Sequence, residues 1–583
     1  MTPDPTPLDP TPLDLGPEPS AGPAAPGRSS TAGDRDATAT LPGMLRTTAA
    51  AHPGAGVVAG EQRSSWVGVL AGAEALAARL ADLGVPPGGR VALLAGNTLT
   101  GIELLFACGL LGAVAVPVNT RFGAPEVRHL LADSGADTVV VTTEEPEHAT
   151  LLRAALDSGG TGAPPGLRRI VRVGPEPVEQ PAIGDSAIGD SVIADSVRID
   201  AVSGTDPHRG ADHATEHRIG DEPGPRAPER AAGPDDLALL VYTSGTTAHP
   251  RGCGLTHRTL VRAAQAVGRE RFRCTAADVL WDVLPLFHLS FVNPLLAILD
   301  AGGTFVTERR FDAGRALARI RDEGVTVAFT CFPTVMDALL AHPDVDRDFA
   351  GVRLMLNVGP PETLRAVQAR LPGTVQLTSY GSTEMAGIAV TTLPDDPEDL
   401  RLGTNGLPLP GIEVVAADPD TGTPLPAGTT GELLVRGTGT FTGYHGGARH
   451  GPHDWFHSGD LGLVGPDGRV HYRGRLKDMV KVGGENVAAL EVEAVLATHP
   501  AVHTAAVVAA PDPRYTEVPA AFVELRDGAG ATADELREHC AAALAGFKVP
   551  RHVRFVTDWP MSATKIQKGP LRERITAELE ELA

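Results

Sequence analysis

Short, wholly apolar runs alternate along this chain with longer stretches whose apolar positions recur every three or four residues. The first pattern marks strands buried on both faces and the second marks helices with one buried side. Read this way, residues 70–83, 102–111 and 126–134 are helices, and 90–95, 113–118 and 138–141 are strands. Such alternation predicts a parallel sheet covered by helices on both faces. The α/β character resumes with the run Leu237-Ala-Leu-Leu-Val241 and continues to about residue 400. Residues 400–472 are glycine-rich with β runs at 431–436 and 469–472, which suggests a smaller β subdomain. After residue 474 a compact α+β unit is expected, with helices at 490–499 and 533–545, strands at 504–509, 520–525 and 553–556, and a closing helix. The fold class is α/β: a large N-terminal domain of layered α/β sheets with a β subdomain over 43–473, then a small α+β domain over 474–583.

Two segments break the pattern. Residues 1–42 hold nine prolines in the first 30 positions and read as a disordered tail. Residues 158–235 read as a disordered, solvated insertion containing the near-repeats Ala182-Ile-Gly-Asp-Ser186 and Ala187-Ile-Gly-Asp-Ser191. Residues 174–235 carry 13 acids against 5 arginines, a net −8 of the chain's −22, so the folded body is less acidic than the whole. His208, His213 and His217 there are better read as linker residues than as metal ligands.

The 583-residue length implies at least two domains, and 42% hydrophobic content supports large cores. The acidic balance argues against nucleic acid or an anionic membrane surface as the main partner. Five scattered cysteines without a CxxC pair fit neither a disulfide framework nor a thiolate zinc site, and suit the reducing cytoplasm. No basic-then-apolar leader is expected at the N-terminus, and no apolar run reaches membrane-spanning length.

The richest chemistry follows the apolar run 237–241. In Tyr242-Thr-Ser-Gly-Thr-Thr-Ala-His-Pro-Arg-Gly-Cys-Gly-Leu-Thr-His257, three hydroxyl residues and a glycine crowd together between a strand and a stretch that looks helical after Thr256. Backbone N–H groups and hydroxyls gathered at such a turn suit an anion, usually phosphate.

This loop resembles the phosphate-binding signature of the adenylate-forming enzymes, which include the acyl- and aryl-CoA synthetases. Further motifs follow in that family's order: Pro285-Leu-Phe-His288, Ser379-Tyr-Gly-Ser-Thr-Glu384, Trp455-Phe-His-Ser-Gly-Asp460, Arg473-Gly-Arg-Leu-Lys-Asp478, Gly483-Gly-Glu-Asn486 and Thr564-Lys-Ile-Gln-Lys568. The resemblance implies activation of a carboxylate by ATP as an acyl-AMP, then transfer of the acyl group to the thiol of CoA. A carboxylate is a poor acyl donor because its leaving group would be oxide. AMP is a far better leaving group.

By the same resemblance, Thr243, Ser244, Gly245, Thr246, Thr247 and Arg251 grip the triphosphate. Tyr380, between Ser379 and Gly381, stacks on adenine. Ser382 and Thr383 lie by the α-phosphate, and Glu384 holds Mg²⁺. Asp460 accepts both ribose hydroxyls, Arg475 reaches ribose or phosphate, and Lys565 bridges the carboxylate and the α-phosphate. His288 sits beside the acyl carboxylate. Lys477 marks a hinge about which the small domain swings, bringing Gly483 and Gly484 to a thiol tunnel. Outside these motifs, Tyr380 would read as core, Asp460 as a turn cap, and Glu384 and Lys565 as solvated charges.

Three departures from type stand out. Ala248 and Arg251 replace the usual glycine and lysine. Ser562-Ala-Thr-Lys565 lacks the glycine usual before the lysine. Asn357-Val-Gly-Pro-Pro361 replaces a Gly-Gly-Ala stretch, so Gly359, Pro360 and Pro361 border the nucleotide with fewer N–H donors. The acyl pocket is expected to draw on His288, Phe291, Phe332, Met336, Val358, Gly359, Met385 and Ala386. With no acid there to receive an amino group, a fatty, branched or aryl acid is expected. Three other readings stay open: an acyl-AMP ligase loading a separate carrier protein, a luciferase-like oxygenase, and a binder without turnover. The residues leave the oligomeric state open.

Overall fold

The computed structural model describes residues 39–157, 164, 166–174, 190–193, 197–201, 232–243, 250–482, 485–562 and 565–581. The apolar runs between residues 56 and 377 pair into two large sheets. One has eight strands in the order Arg251–Thr256, Leu237–Thr243, Val114–Pro117, Arg90–Leu94, Thr138–Thr142, Arg169–Val173, Val197–Ala201, Asp190–Ile193. Its strands from Leu237–Thr243 to Arg169–Val173 run parallel, and the strands at either end are antiparallel. The other has seven strands, parallel from Val375–Leu377 to Gly56–Ala59, with Gln62–Ser65 added antiparallel at the edge.

Helix Leu99–Leu111 explains how the two sheets come together. It is apolar on all sides and buried from Gly101 to Leu111 except at Glu103. A helix without a polar face belongs between layers, and this one contacts strands of both sheets.

A four-stranded antiparallel sheet, Ile412–Ala417, Gly431–Gly437, Phe456–Val464 and Val470–Arg475, forms the β subdomain. After it the chain builds a separate apolar core running from Val480 to Ile575 around strands Val502–Asp512 and Thr516–Leu525. The molecule is thus mixed α/β, with a large N-terminal part and a smaller C-terminal one.

Several elements differ from their expected form. Helix Leu41–Ala51 begins inside the expected tail, started by Thr40, whose hydroxyl accepts from Gly43 N. Residues 1–38 lie outside the described residues. Within the expected insertion, Arg169–Val173 is a sheet strand with Ile170, Val171 and Val173 buried, and Asp190–Ile193 and Val197–Ala201 extend the sheet's edge. The run Arg-Ile-Val-Arg-Val had the composition of a strand but stood beside a polar, glycine-rich stretch. The repeats over 182–189 lie outside the described residues. Finally, the Tyr242 loop joins two antiparallel strands instead of a strand and a helix, since Arg251 pairs with Thr243. Its second strand carries Gly252 and Gly254 where side chains would collide with Tyr242 and Thr442. The expected helix follows as His257–Gln265, capped by the Thr256 hydroxyl at 3.1 Å from Thr259 N.

Candidate active site

Three neighbouring elements of the large domain assemble most of the described site. Strand Ser379–Tyr380 leads into a 3₁₀ turn, Thr383–Met385. Between them Gly381 has no room for a Cβ, which would sit 2.3 Å from the Gly387 carbonyl. Ala386 ends the turn at φ 52°, a left-handed conformation unusual for a residue with a Cβ. Asn293, 4% exposed on helix Leu289–Ala301, donates its amide to the Ala386 carbonyl at 3.1 Å. That bond, with Gly387 N donating to Ser382 O at 2.9 Å, holds the turn that carries Thr383 and Glu384.

Asp460 and Arg475 are direct partners across antiparallel strands of the β subdomain. Asp460 is 3% exposed, and its Oδ1 lies 3.0 Å from Arg475 Nε. Its Oδ2 accepts from the Tyr380 hydroxyl at 2.8 Å. Arg475 also donates to the Ser458 carbonyl at 3.1 Å. Tyr472 stacks on Tyr380 with ring centroids 5.7 Å apart. Burial, then the charge of Asp460, hold the Tyr380 phenol well above its ordinary range, so it remains a donor at any working pH.

Glu384 has a different setting. Its Oε1 accepts from the Tyr444 hydroxyl and its Oε2 from the Ser382 hydroxyl, both at 2.7 Å. The Arg251 guanidinium lies on the Tyr444 ring, 3.7 Å from its centroid. Buried Cys253 lies close beneath, its thiol pushed up by burial and then by the charge of Glu384. Among the described residues no cluster of three or more His, Cys, Asp or Glu forms a cation cage. Mg²⁺ needs none, because it takes most of its ligands from phosphate oxygens and water. One half-buried carboxylate with acceptor capacity to spare on each oxygen fits that demand.

His288 precedes helix Leu289–Ala301, half-buried, with its ring edge-on to Phe287 at 4.6 Å. Of the expected acyl-pocket residues, Phe291, Met336, Met385 and Ala386 are buried in the main core, while Phe332, Val358 and Gly359 are half-buried. Pro360 and Pro361 open helix Pro361–Arg370, with Pro361 in its first turn. There a missing N–H costs nothing, so these prolines start a helix and deprive no helical bond of a donor.

Ser244, Gly245, Thr246 and Thr247 lie outside the described residues, as do Ala248, Gly483 and Gly484. Thr243 ends its strand half-buried. Only the backbone of Lys565 is described; it pairs with Ser562 in a two-stranded ladder. Lys477 sits in the 3₁₀ turn Leu476–Asp478, and its carbonyl accepts from Arg572 of the closing helix at 3.2 Å.

Tyr444, Tyr472 and Asn293 lie outside every motif recognised in the sequence. Nothing local marks them, because each gains its meaning from a partner brought in by the fold.

The AMP-binding enzyme family matches residues 45–445, and the AMP-binding enzyme C-terminal domain matches residues 491–565. A feruloyl-CoA synthase of Amycolatopsis sp is 36% identical over 511 residues, spanning 86% of this chain and 91% of that protein. Among solved structures, an anthranilate CoA ligase in complex with anthranoyl-AMP superposes with TM-score 0.76 at 25% identity, over 93% of this chain and 98% of that one. ATP-bound MatB from Rhodopseudomonas palustris gives TM-score 0.74 at 27% identity, over 92% and 98%. No described helix is long and apolar enough to cross a membrane. With these matches spanning most of its length, the chain belongs to the AMP-binding, adenylate-forming enzymes, as an ATP-dependent acid–thiol ligase of the acyl-CoA synthetase kind.

Proposed function

We propose that this ligase activates an aryl carboxylic acid, with ferulate-like and benzoate-like acids the first classes to test, and passes the acyl group to CoA. The observation that carries the nucleotide half of this reading is the Tyr380–Asp460–Arg475 constellation. A carboxylate already neutralised by arginine can still accept two ribose hydroxyls, and the Tyr380 ring offers a surface for adenine. Arg251, with Ser244, Thr246 and Thr247, serves the β- and γ-phosphates, and Thr383 serves the α-phosphate. Glu384 would hold Mg²⁺, which would supply positive charge to offset that of the phosphates. Lys565 aligns the attacking oxygen and then departs with the small domain, turning about Lys477, so that Gly483 and Gly484 can admit the thiol. This division of labour is positioning plus electrostatics, which is what phosphoryl-centre chemistry asks of a protein.

The aryl preference rests on the similarity to a feruloyl-CoA synthase and an anthranilate CoA ligase. The half-buried Phe332, Val358 and Gly359 support it as apolar members of the expected acyl pocket. Five free thiols are compatible with a cytoplasmic setting.

The test is carboxylate-dependent pyrophosphate release across ferulate, anthranilate, malonate and a medium-chain fatty acid. CoA and a phosphopantetheinylated carrier are then compared as acceptors. Aryl acids and free CoA should give the highest kcat/KM. A tenfold preference for malonate or the fatty acid, or for the carrier, would refute this assignment.

A further inference from the structure

Arg251 and Glu384 are opposite charges on the same side of the site, yet among the described residues no ion pair joins them. Tyr444 stands between. Its ring face carries the guanidinium at 3.7 Å, and its hydroxyl donates to Glu384 at 2.7 Å. The ring is itself fixed. Tyr444 bridges to Cys253 by backbone pairing, the next residue, His445, donates its N–H to Gly252 O at 2.7 Å, and Phe441 packs edge-on at 5.0 Å.

We propose that Tyr444 is a positioning residue that keeps Arg251 and Glu384 from collapsing onto one another, so that both charges remain available to a magnesium–nucleoside triphosphate. The proposal rests on the nucleotide-site reading above. Two charges that close to contact neutralise each other and lose their affinity for outside ligands. A phenol solves this by giving each its own partner: a π face for the cation and an O–H for the acid. It also accounts for arginine in place of lysine. A flat, weakly hydrated guanidinium lies well on an aromatic face while its edge donors stay free, whereas a compact ammonium is held by water. Arg251 and Tyr444 therefore form one functional unit.

The experiment is equilibrium binding of ATP to the full chain, first in EDTA and then in Mg²⁺, for wild type, Tyr444→Phe, Tyr444→Leu, Arg251→Lys and the Arg251→Lys/Tyr444→Leu double variant. Tyr444→Phe keeps the shelf and loses the hydroxyl. Its affinity in EDTA should stay within about twofold of wild type while the gain on adding Mg²⁺ shrinks about fivefold. Tyr444→Leu loses both contacts and should weaken binding about fivefold already in EDTA. Arg251→Lys should weaken binding several-fold in the wild-type background and have no further effect beside Tyr444→Leu. Equal losses from Arg251→Lys in both backgrounds, or wild-type affinity in Tyr444→Leu, would overturn the proposal. If Tyr444→Leu does not fold, Tyr444→Phe decides alone, because an unchanged Mg²⁺ response contradicts the proposal. Should wild type fail to bind ATP at all, the nucleotide-site reading falls and takes this one with it. Normal ATP binding by every variant would remove only the role of Tyr444.

Discussion

Two groups in this molecule each join a tyrosine, an arginine and an acid, and arrange them differently. In Tyr380–Asp460–Arg475 the arginine closes on the acid at 3.0 Å and the tyrosine adds a second bond from the other side. In Tyr444–Glu384–Arg251 the tyrosine ring takes the arginine and only the hydroxyl reaches the acid. The first unit is 3% exposed at its acid and nearly neutral. The second gives the guanidinium and the carboxylate separate contacts on one tyrosine and, among the described residues, no ion pair with each other. The contrast matches what each would face: neutral ribose hydroxyls and adenine on one side, a triphosphate and a cation on the other. Pairing charges makes a rigid cradle for neutral groups, and holding them apart makes a receptor for charged ones.

The largest effect should come from breaking the closed unit. Asp460→Ala leaves Arg475 and the Tyr380 hydroxyl without their shared acceptor. The cost is about 3 kcal/mol, at the low end for a broken buried pair because the Arg475 side chain is 40% exposed. It should appear as an early unfolding step in thermal denaturation, whereas Glu384→Ala should change stability by about 1 kcal/mol or less. Equal losses would mean the two acids are structurally alike.

A third acid sharpens the comparison because neither tyrosine nor arginine sets its titration. Burial, then the charge of Glu144, pushes Glu103 up to about 7. Its folded value lies above its unfolded one, so the native state binds the extra proton between about pH 4.5 and 7, and stability falls as pH rises through that window. Glu103→Gln should therefore stabilise the protein at pH 8 relative to wild type, by roughly 2 kcal/mol after allowance for partial exposure, and give little change at pH 4.5. A pH-independent effect would contradict this.

The smallest effect is expected at the turn. Asn293→Asp keeps the shape and loses the amide donor to Ala386, and should lower kcat about threefold to tenfold with little change in the KM for ATP. Loss of ATP affinity without loss of kcat would mean that the turn is held by other contacts.

Much of this was legible in the chain. The bare apolar runs 90–95, 113–118, 138–141 and 237–241 announced strands of the eight-stranded sheet, while those of the seven-stranded sheet were foreseen only as continuing α/β character. Tyr380, Asp460 and Arg475 stood in motifs whose order pointed to the site, and the fold brings these three together. The strand Arg251–Thr256 was not legible because its glycines serve close packing against Tyr242 and Thr442, which periodicity does not register. Tyr444 and Asn293 were missed for a related reason. Their importance is a contact with Glu384 or with its turn, made by segments far apart in sequence, and a single tyrosine or asparagine carries no local mark of such a partner. Pro360 and Pro361 start helix Pro361–Arg370, so their missing donors break no helical bond.

The most direct test of the contrast between the two units is ATP affinity, measured with and without Mg²⁺, for Asp460→Asn and Glu384→Gln. Asp460→Asn should weaken binding by about the same factor in EDTA and in Mg²⁺, because ribose contacts do not involve the cation. Glu384→Gln should bind like wild type in EDTA and lose about tenfold only when Mg²⁺ is present. If both variants lose affinity in the same way under both conditions, the two acids share one role, and the division between a closed cradle and an open charge pair is wrong.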